Sequence, residues 1–246
     1  MRNLKLTIQY EGTRYNGWQI QKNTPRTIQE IIENILAQIL REKVKLTAAG
    51  RTDTGVHASM QVANFKTRSR LLPAKLHTSL NSLLPDDIKV TRIREAPPDF
   101  HSRYCARSKT YRYTILNRAY SDVFERSREY FYPYRLDVSA MRTAARLLVG
   151  KHDFSSFRKT DRACRRTPVR TLSSIRISTK AGRINLDFIG AGFLHNMVRS
   201  IVGTLIEIGR GKMPAGSITA ILKAKNRTAA GPTAPARGLT LLKVQY

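Results

Sequence analysis

Seven aliphatic residues, Ile28, Ile31, Ile32, Ile35, Leu36, Ile39 and Leu40, recur at helical spacing shortly after a stretch, residues 4–10, in which apolar and polar residues alternate. These two periods constrain the fold more than any other feature. A stripe with a period near 3.6 commits a segment to an amphipathic helix, and alternation with period two commits one to a half-buried strand. Thr27 followed by Glu30 supplies a capping box before the stripe. Further along, short strands are expected at residues 45–49 and 60–65, a second helix near 74–84 and a strand near 88–94. In the second half, residues 110–116 read as a strand. Asp137 can cap a helix running to Leu148, with Gly150 at its C-terminal end. Strands at 172–178 and 183–189 flank the turn Lys180-Ala181-Gly182. A helix follows with Met197, Val198, Ile201, Val202, Leu205 and Ile206 on one face. A short helix near 217–224 and a strand near 239–246 complete the pattern.

Strands alternate with helices in both halves, but hairpins also occur. This predicts an α+β fold, with a mixed, largely antiparallel sheet flanked by helices, rather than a doubly wound parallel one. The break Ala96-Pro97-Pro98-Asp99 marks a soft boundary between an N-terminal subdomain, residues 1–98, and a C-terminal one, 99–246. Hydrophobic residues make up 41% of the 246, enough for a sizeable core, so the chain is no disordered basic tail. No apolar run approaches the roughly 18 residues that span a membrane. The first ten residues read as a strand and lack the apolar segment of a signal peptide. Cys105 and Cys164 form no Cys-x-x-Cys pair, and the five histidines show no metal-ligand spacing. The economical expectation is a cytoplasmic, soluble protein without metal or membrane.

Charge points to the partner. Lys and Arg number 44 against 17 Asp and Glu, a formal net charge of +27. Two stretches are denser still, residues 103–113 and 158–166, and the first interleaves cations with Tyr104, Tyr111 and Tyr113. Cations meet phosphates and flat rings stack on exposed bases, so this composition suits a nucleic acid better than a merely solvated surface or an anionic membrane.

Within this positive field lies the run Gly50-Arg51-Thr52-Asp53-Thr54-Gly55-Val56-His57-Ala58. Nearby positive charge favours the ionised form of Asp53. A carboxylate held on a rigid turn can act as nucleophile, base or electrostatic stabiliser. The nine residues alone favour a simpler role, an aspartate bonding its own loop. Asp53-Thr54-Gly55 also resembles the aspartic-protease triplet, but Arg51 beside it does not suit carboxylates that share a proton. Gly190-Ala191-Gly192 lacks the third glycine of a dinucleotide fingerprint, leaving only a close turn into a helix N-terminus that can face a phosphate. Gly209-Arg210-Gly211-Lys212-Met213 is not a P-loop, since no Ser or Thr follows the lysine. Arg199 lies at the edge of its helix's apolar stripe beside His195. It either snorkels or reaches inward to a carboxylate, for which Asp53 is a candidate. Tyr111 is either a core ring or a ring laid against a base. Trp18 reads equally as a core plug or a stacking platform.

Taken together, the segments resemble the tRNA pseudouridine synthase A family. The resemblance rests on Tyr10-Glu11-Gly12, Tyr15-Asn16-Gly17-Trp18-Gln19, Gly50-Arg51-Thr52-Asp53 and Gly55-Val56-His57-Ala58. It continues through Phe100-His101-Ser102-Arg103, Tyr111-Arg112-Tyr113, His152-Asp153-Phe154-Ser155-Ser156-Phe157 and Arg166-Thr167-Pro168. It ends on Asn196-Met197-Val198-Arg199, Ile201-Val202-Gly203, Thr233-Ala234-Pro235-Ala236 and Gly238-Leu239. The resemblance implies a cofactor-free isomerase and a homodimer. It would convert uridines 38–40 of the tRNA anticodon stem-loop to pseudouridine. It implies a mixed sheet in two related halves, with the catalytic cleft between them. By resemblance, Asp53 is the catalytic aspartate and Arg199 the arginine paired with it. Tyr111 packs on the target base, Arg51 helps to open the duplex and hold the flipped nucleotide, and Leu239 packs on the base from another side. Thr54 stands where the family usually has alanine, and Lys109-Thr110 stand where it commonly has arginines. A binding module without catalysis is the rival reading; pure RNA binding gains nothing from a carboxylate facing phosphates.

Overall fold

The computed structural model describes residues 1–21, 24, 26–159 and 167–246. Residues 160–166 of the second basic stretch, Cys164 and Arg166 among them, lie outside the described residues. In chain order the elements are β1 (Arg2–Tyr10), α1 (Ile28–Leu40), β2 (Thr47–Ala48), β3 (His57–Thr67), α2 (Pro73–Leu83) and β4 (Ile88–Ala96). There follow β5 (Ser108–Leu116), β6 (Tyr130–Phe131), α3 (Val138–Arg146), β7 (Gly150–Asp153), β8 (Val169–Lys180) and β9 (Arg183–Gly190). The last are α4 (Met197–Gly209), α5 (Ser217–Ala224) and β10 (Leu239–Gln245). The chain forms two compact units, Met1–Arg107 with Leu241–Tyr246, and Ser108–Thr240. The fold is α+β as expected: the β1–β3, β1–β4, β2–β3, β5–β9, β8–β9 and β7–β8 pairings are antiparallel, and β6 pairs parallel to β5.

In the first unit the strand order is β4-β1-β3-β10, with β2 paired to β3. The alternation of β1 sorts its side chains. Leu4, Leu6 and Ile8 are at most 1% exposed, and their core is completed by Ile28, Ile32 and Leu36 of α1 and by Leu76 and Leu80 of α2. Half of the expected capping box is realised. The Thr27 hydroxyl accepts from the Glu30 N–H at 3.4 Å, but the buried Glu30 Oε2 has no hydrogen-bond partner. The alternate positions of β1 carry a polar layer. Asn3 donates to the Pro97 and Phe100 carbonyls, each at 2.9 Å. Asn64 donates to Asn3 Oδ1 at 2.9 Å and accepts from the Ser102 N–H at 2.9 Å and from its hydroxyl at 2.7 Å. The Lys5 ammonium lies 3.7 Å from the Tyr246 ring centroid and 4.6 Å from that of Phe100. Burial pushes it below the ordinary lysine range. These bonds hold the segment after the Pro97-Pro98 break against β1 and β3, so it continues the first unit as far as Arg107.

In the second unit the order is β5-β9-β8-β7. Tyr111, Tyr113 and Ile115 of β5 oppose Phe188, Leu186 and Ile184 of β9, and all six are buried. Eleven of the thirteen residues of α4 are buried, Arg199 and Glu207 being the exceptions. The Asp137 carboxylate caps α3, accepting from the Ala140 N–H at 3.0 Å. Contrary to expectation, α3 ends at Arg146 and Gly150 is no helix cap. With φ of 111° Gly150 instead opens β7. The strands β6 and β7 carry no alternation long enough to read; their pairing partners alone define them.

Arg183 organises the loop before β6. It bonds Glu129 Oε2 at 2.7 Å and Asp122 Oδ2 at 3.2 Å, while Arg118 reaches Asp122 at 3.3 Å. The Phe124 N–H and Arg183 hold the Asp122 carboxyl below the ordinary range. The Glu129 side chain is only 4% exposed, so truncating it leaves a half-buried guanidinium short of its main partner. Glu129→Ala is expected to cost roughly 2 kcal/mol and to lower the melting temperature by about 4–8 °C in a calorimetric scan. An unchanged transition would show that water replaces the pair at no cost.

Candidate active site

The Asp53 turn is built by two segments about 40 residues apart. Asp53 O accepts from the Val56 N–H at 3.1 Å, and Gly55 between them has φ of 76°. That is the geometry of a turn needing a left-handed third residue. Residues 10–18 clamp it. The Thr52 carbonyl accepts from the Trp18 N–H at 3.1 Å, and the Tyr15 carbonyl accepts from the Gly55 N–H at 3.3 Å. The Tyr10 and Thr52 hydroxyls are 2.8 Å apart. Burial pushes the Tyr10 phenol up to about 12, so it remains protonated near neutrality. Gln61 Nε2 donates to the Gly50 carbonyl at 2.8 Å, and the Gly12 N–H donates to His57 Nδ1 at 3.0 Å.

Two glycines permit this approach. A Cβ on Gly12 would lie 2.0 Å from the Val56 carbonyl oxygen, and one on Gly17, at φ of 84°, 2.6 Å from the Thr52 oxygen. The same segment starts α1, because the Gly17 and Trp18 carbonyls accept from the Ile28 and Gln29 N–H groups at 3.1 and 3.0 Å. The turn is thereby bolted to a helix and to β3. Asp53 is half-buried on it, with Arg51 exposed and Thr52 buried. Trp18 is 1% exposed, 6.0 Å from the Tyr10 ring, which makes it a core plug and not a stacking platform.

In the second unit, Tyr111 is 7% exposed and meets Phe193 edge-on, the centroids 4.9 Å apart. Arg199 stands in the first turn of α4. Its Nε donates to the Ala234 carbonyl at 2.8 Å and its Nη1 to Asn196 Oδ1 at 3.1 Å, while its own carbonyl accepts from the Ala234 N–H at 3.1 Å. The guanidinium is therefore no snorkelling group; it ties the 230–238 loop to α4. Gly203 allows the contact, since a Cβ there would sit 1.7 Å from the Pro232 oxygen. The loop runs on under Tyr113, whose hydroxyl donates to the Pro235 carbonyl at 2.8 Å, and reaches buried Leu239. Arg199, Tyr111 and Leu239 thus belong to one framework within this unit, and Asp53 and Arg51 to another within the first.

Sequence reading passed over Arg227. Its guanidinium donates to the Gly231 carbonyl at 2.9 Å and the Thr233 hydroxyl at 2.8 Å, bracing the loop from within. Only its closeness to the Thr233-Ala234-Pro235-Ala236 motif hinted at this. Conversely, the motif around His152 is largely structural. Phe154 and Phe157 are fully buried, and the Ser156 hydroxyl accepts from the Asn226 N–H at 2.9 Å. Among the described residues no group of three or more His, Cys, Asp and Glu is placed to hold a metal ion, and no helix is long and apolar enough to cross a membrane.

Known proteins share this arrangement of segments. The sequence profile of a family described as tRNA pseudouridine synthase matches residues 6–105 and 144–246. The chain is 44% identical to tRNA pseudouridine synthase A of Thermoanaerobacter sp. over 246 residues, all of both chains. It is 45% identical to that of Acetivibrio thermocellus, again over the whole of both. Against that of Geobacillus sp. it is 46% identical, covering 100% of this chain and 98% of the relative. The match runs through both units and spans the relatives from end to end, and on this ground the chain belongs to the tRNA pseudouridine synthase family, a family of isomerases.

Proposed function

We propose that this enzyme isomerises uridines 38–40 of the tRNA anticodon stem-loop, with Asp53 as the catalytic carboxylate and Arg199 as the second catalytic residue. Arg51, Tyr111 and Leu239 contact the nucleotide. Residues 1–98 then supply Asp53 and Arg51, and residues 99–246 supply the other three. The observation that carries the reading is the clamped turn: the backbone around Asp53 is fixed by bonds from residues 10–18 and from Gln61, while its side chain is left only half-buried. A carboxylate so held is positioned before substrate arrives, and preorganised charge is worth far more than mobile charge in a site that excludes water.

The reaction breaks the bond from ribose C1′ to uracil N1, rotates the base and joins C1′ to C5. The proton lost from C5 is balanced by one gained at N1, so no electrons enter or leave. An ionised Asp53 suits attack at C1′, addition to the base, or removal of a proton on the way to a glycal. A uridine within a stem must first leave the stack, at a cost of a few kcal/mol. Phosphate contacts across a surface of net charge +27 can offset that cost. The active species is a homodimer in the cytoplasm, with tRNA as its macromolecular partner.

Mapping pseudouridine in an unmodified tRNA transcript treated with the purified protein tests the reading. Modification is expected at positions 38, 39 and 40 where uridine is present. Modification confined to another stem or loop overturns the assignment. Sedimentation at the mass of a single chain in the presence of tRNA overturns the dimer.

A further inference from the structure

Lys109 is a buried cation that the reaction as described does not use. It is 9% exposed and lies two residues before Tyr111, on the same face of β5. Among the described residues none accepts a hydrogen bond from its ammonium or pairs with it. Its charged neighbour is another cation, Arg170, and burial first and Arg170 second hold the ammonium below the ordinary lysine range. Across the strand Lys109 pairs with Gly190. There the chain leaves β9 and turns towards α4. A Cβ on Gly190 would lie 3.4 Å from Phe193, the ring that abuts Tyr111, and one on Gly192 would lie 3.9 Å from Arg170 Nε. Lys109, Tyr111, Phe193 and Arg170 therefore surround one glycine-lined turn.

Burying an ammonium without a counter-charge is costly, and truncation to an apolar residue of like size is usually neutral or stabilising. A folded chain that keeps such a group beside a like charge gains nothing in stability from it. We propose that Lys109, assisted by Arg170, binds a phosphodiester of the RNA beside the nucleotide that Tyr111 contacts, positioning the strand. The proposal rests on the tRNA reading above. A phosphate fits because no carboxylate among the described residues pairs with the Lys109 ammonium: it brings negative charge to that ammonium only when substrate is present.

Full-length Lys109→Met and Lys109→Arg test this with an unmodified tRNA transcript. Affinity is measured across a salt series, and melting is measured without RNA. Lys109→Met is expected to bind about tenfold more weakly near 0.1 M salt. The slope of log affinity against log salt should flatten by roughly 0.7–0.9, the loss of one phosphate contact. Lys109→Arg should keep the wild-type slope. Without RNA, Lys109→Met should melt at or above the wild-type temperature. A folded Lys109→Met with wild-type affinity and slope overturns the proposal. A lowered melting temperature with an unchanged slope also overturns it, because it assigns the lysine to packing. A wild-type protein that forms no pseudouridine in this transcript overturns the tRNA reading itself, a separate result.

Discussion

Asp53→Asn is expected to lower the isomerisation rate by at least ~10³-fold while leaving tRNA affinity within about twofold. Asparagine keeps the size and shape of the side chain, so the turn held by Trp18, Tyr15 and Val56 should persist. What disappears is the charge, and with it the nucleophile or base. Removing one carboxylate from a chain with 44 Lys and Arg also strengthens, slightly, its attraction for RNA. Release of hydrogen from uracil C5 of a labelled tRNA measures the chemical step, and filter binding measures affinity. A variant that releases C5 hydrogen at the wild-type rate eliminates Asp53 as the catalytic group. A variant that loses binding and turnover together recasts the aspartate as a loop-holding residue.

Gly12→Ala should be the most damaging single methyl group in the first unit. Its Cβ would fall 2.0 Å from the Val56 carbonyl oxygen, a backbone atom with no rotamer to escape into. The turn must move or the 10–18 segment must lift. Overpacking of this kind costs about 3 kcal/mol, equivalent to a fall of about 6–12 °C in melting temperature. Activity should fall further than stability explains, since Val56 closes the turn that carries Asp53. Gly216→Ala is the control. Nothing lies within 4 Å of a Cβ there, and φ of −67° suits any residue, so stability should hold or rise slightly. Equal melting temperatures for the two variants would show that the turn yields easily, and would remove rigidity from the argument for Asp53.

Much of the secondary structure was legible before any contact was known, because helix and strand periods are local. The stripe Ile28 to Leu40 coincides with α1 from its first residue to its last. Thr27 and Asp137 cap the helices they precede. Where local rules competed, the tertiary structure chose. Glu30 forgoes its return bond, and Gly150 serves a strand rather than a helix end. The strands β6 and β7 are too short to carry a period and exist through their partners β5 and β8.

The candidate site divides the same way. By itself, the sequence determined that a basic, core-forming chain carries Asp53 on a glycine-bounded turn, and its motifs resemble one family of RNA isomerases. The need for glycine at positions 12 and 17, the burial of Trp18 and the tie from Arg199 to Ala234 came only with the tertiary structure. So did the lack, among the described residues, of a counter-charge for Lys109. Gly12 and Val56, Gly17 and Thr52, and Arg199 and Ala234 are close in space yet 35 to 44 residues apart in the chain. Periodicity cannot express such contacts, because they depend on which backbones approach closely enough to exchange hydrogen bonds and which side chains lose access to water.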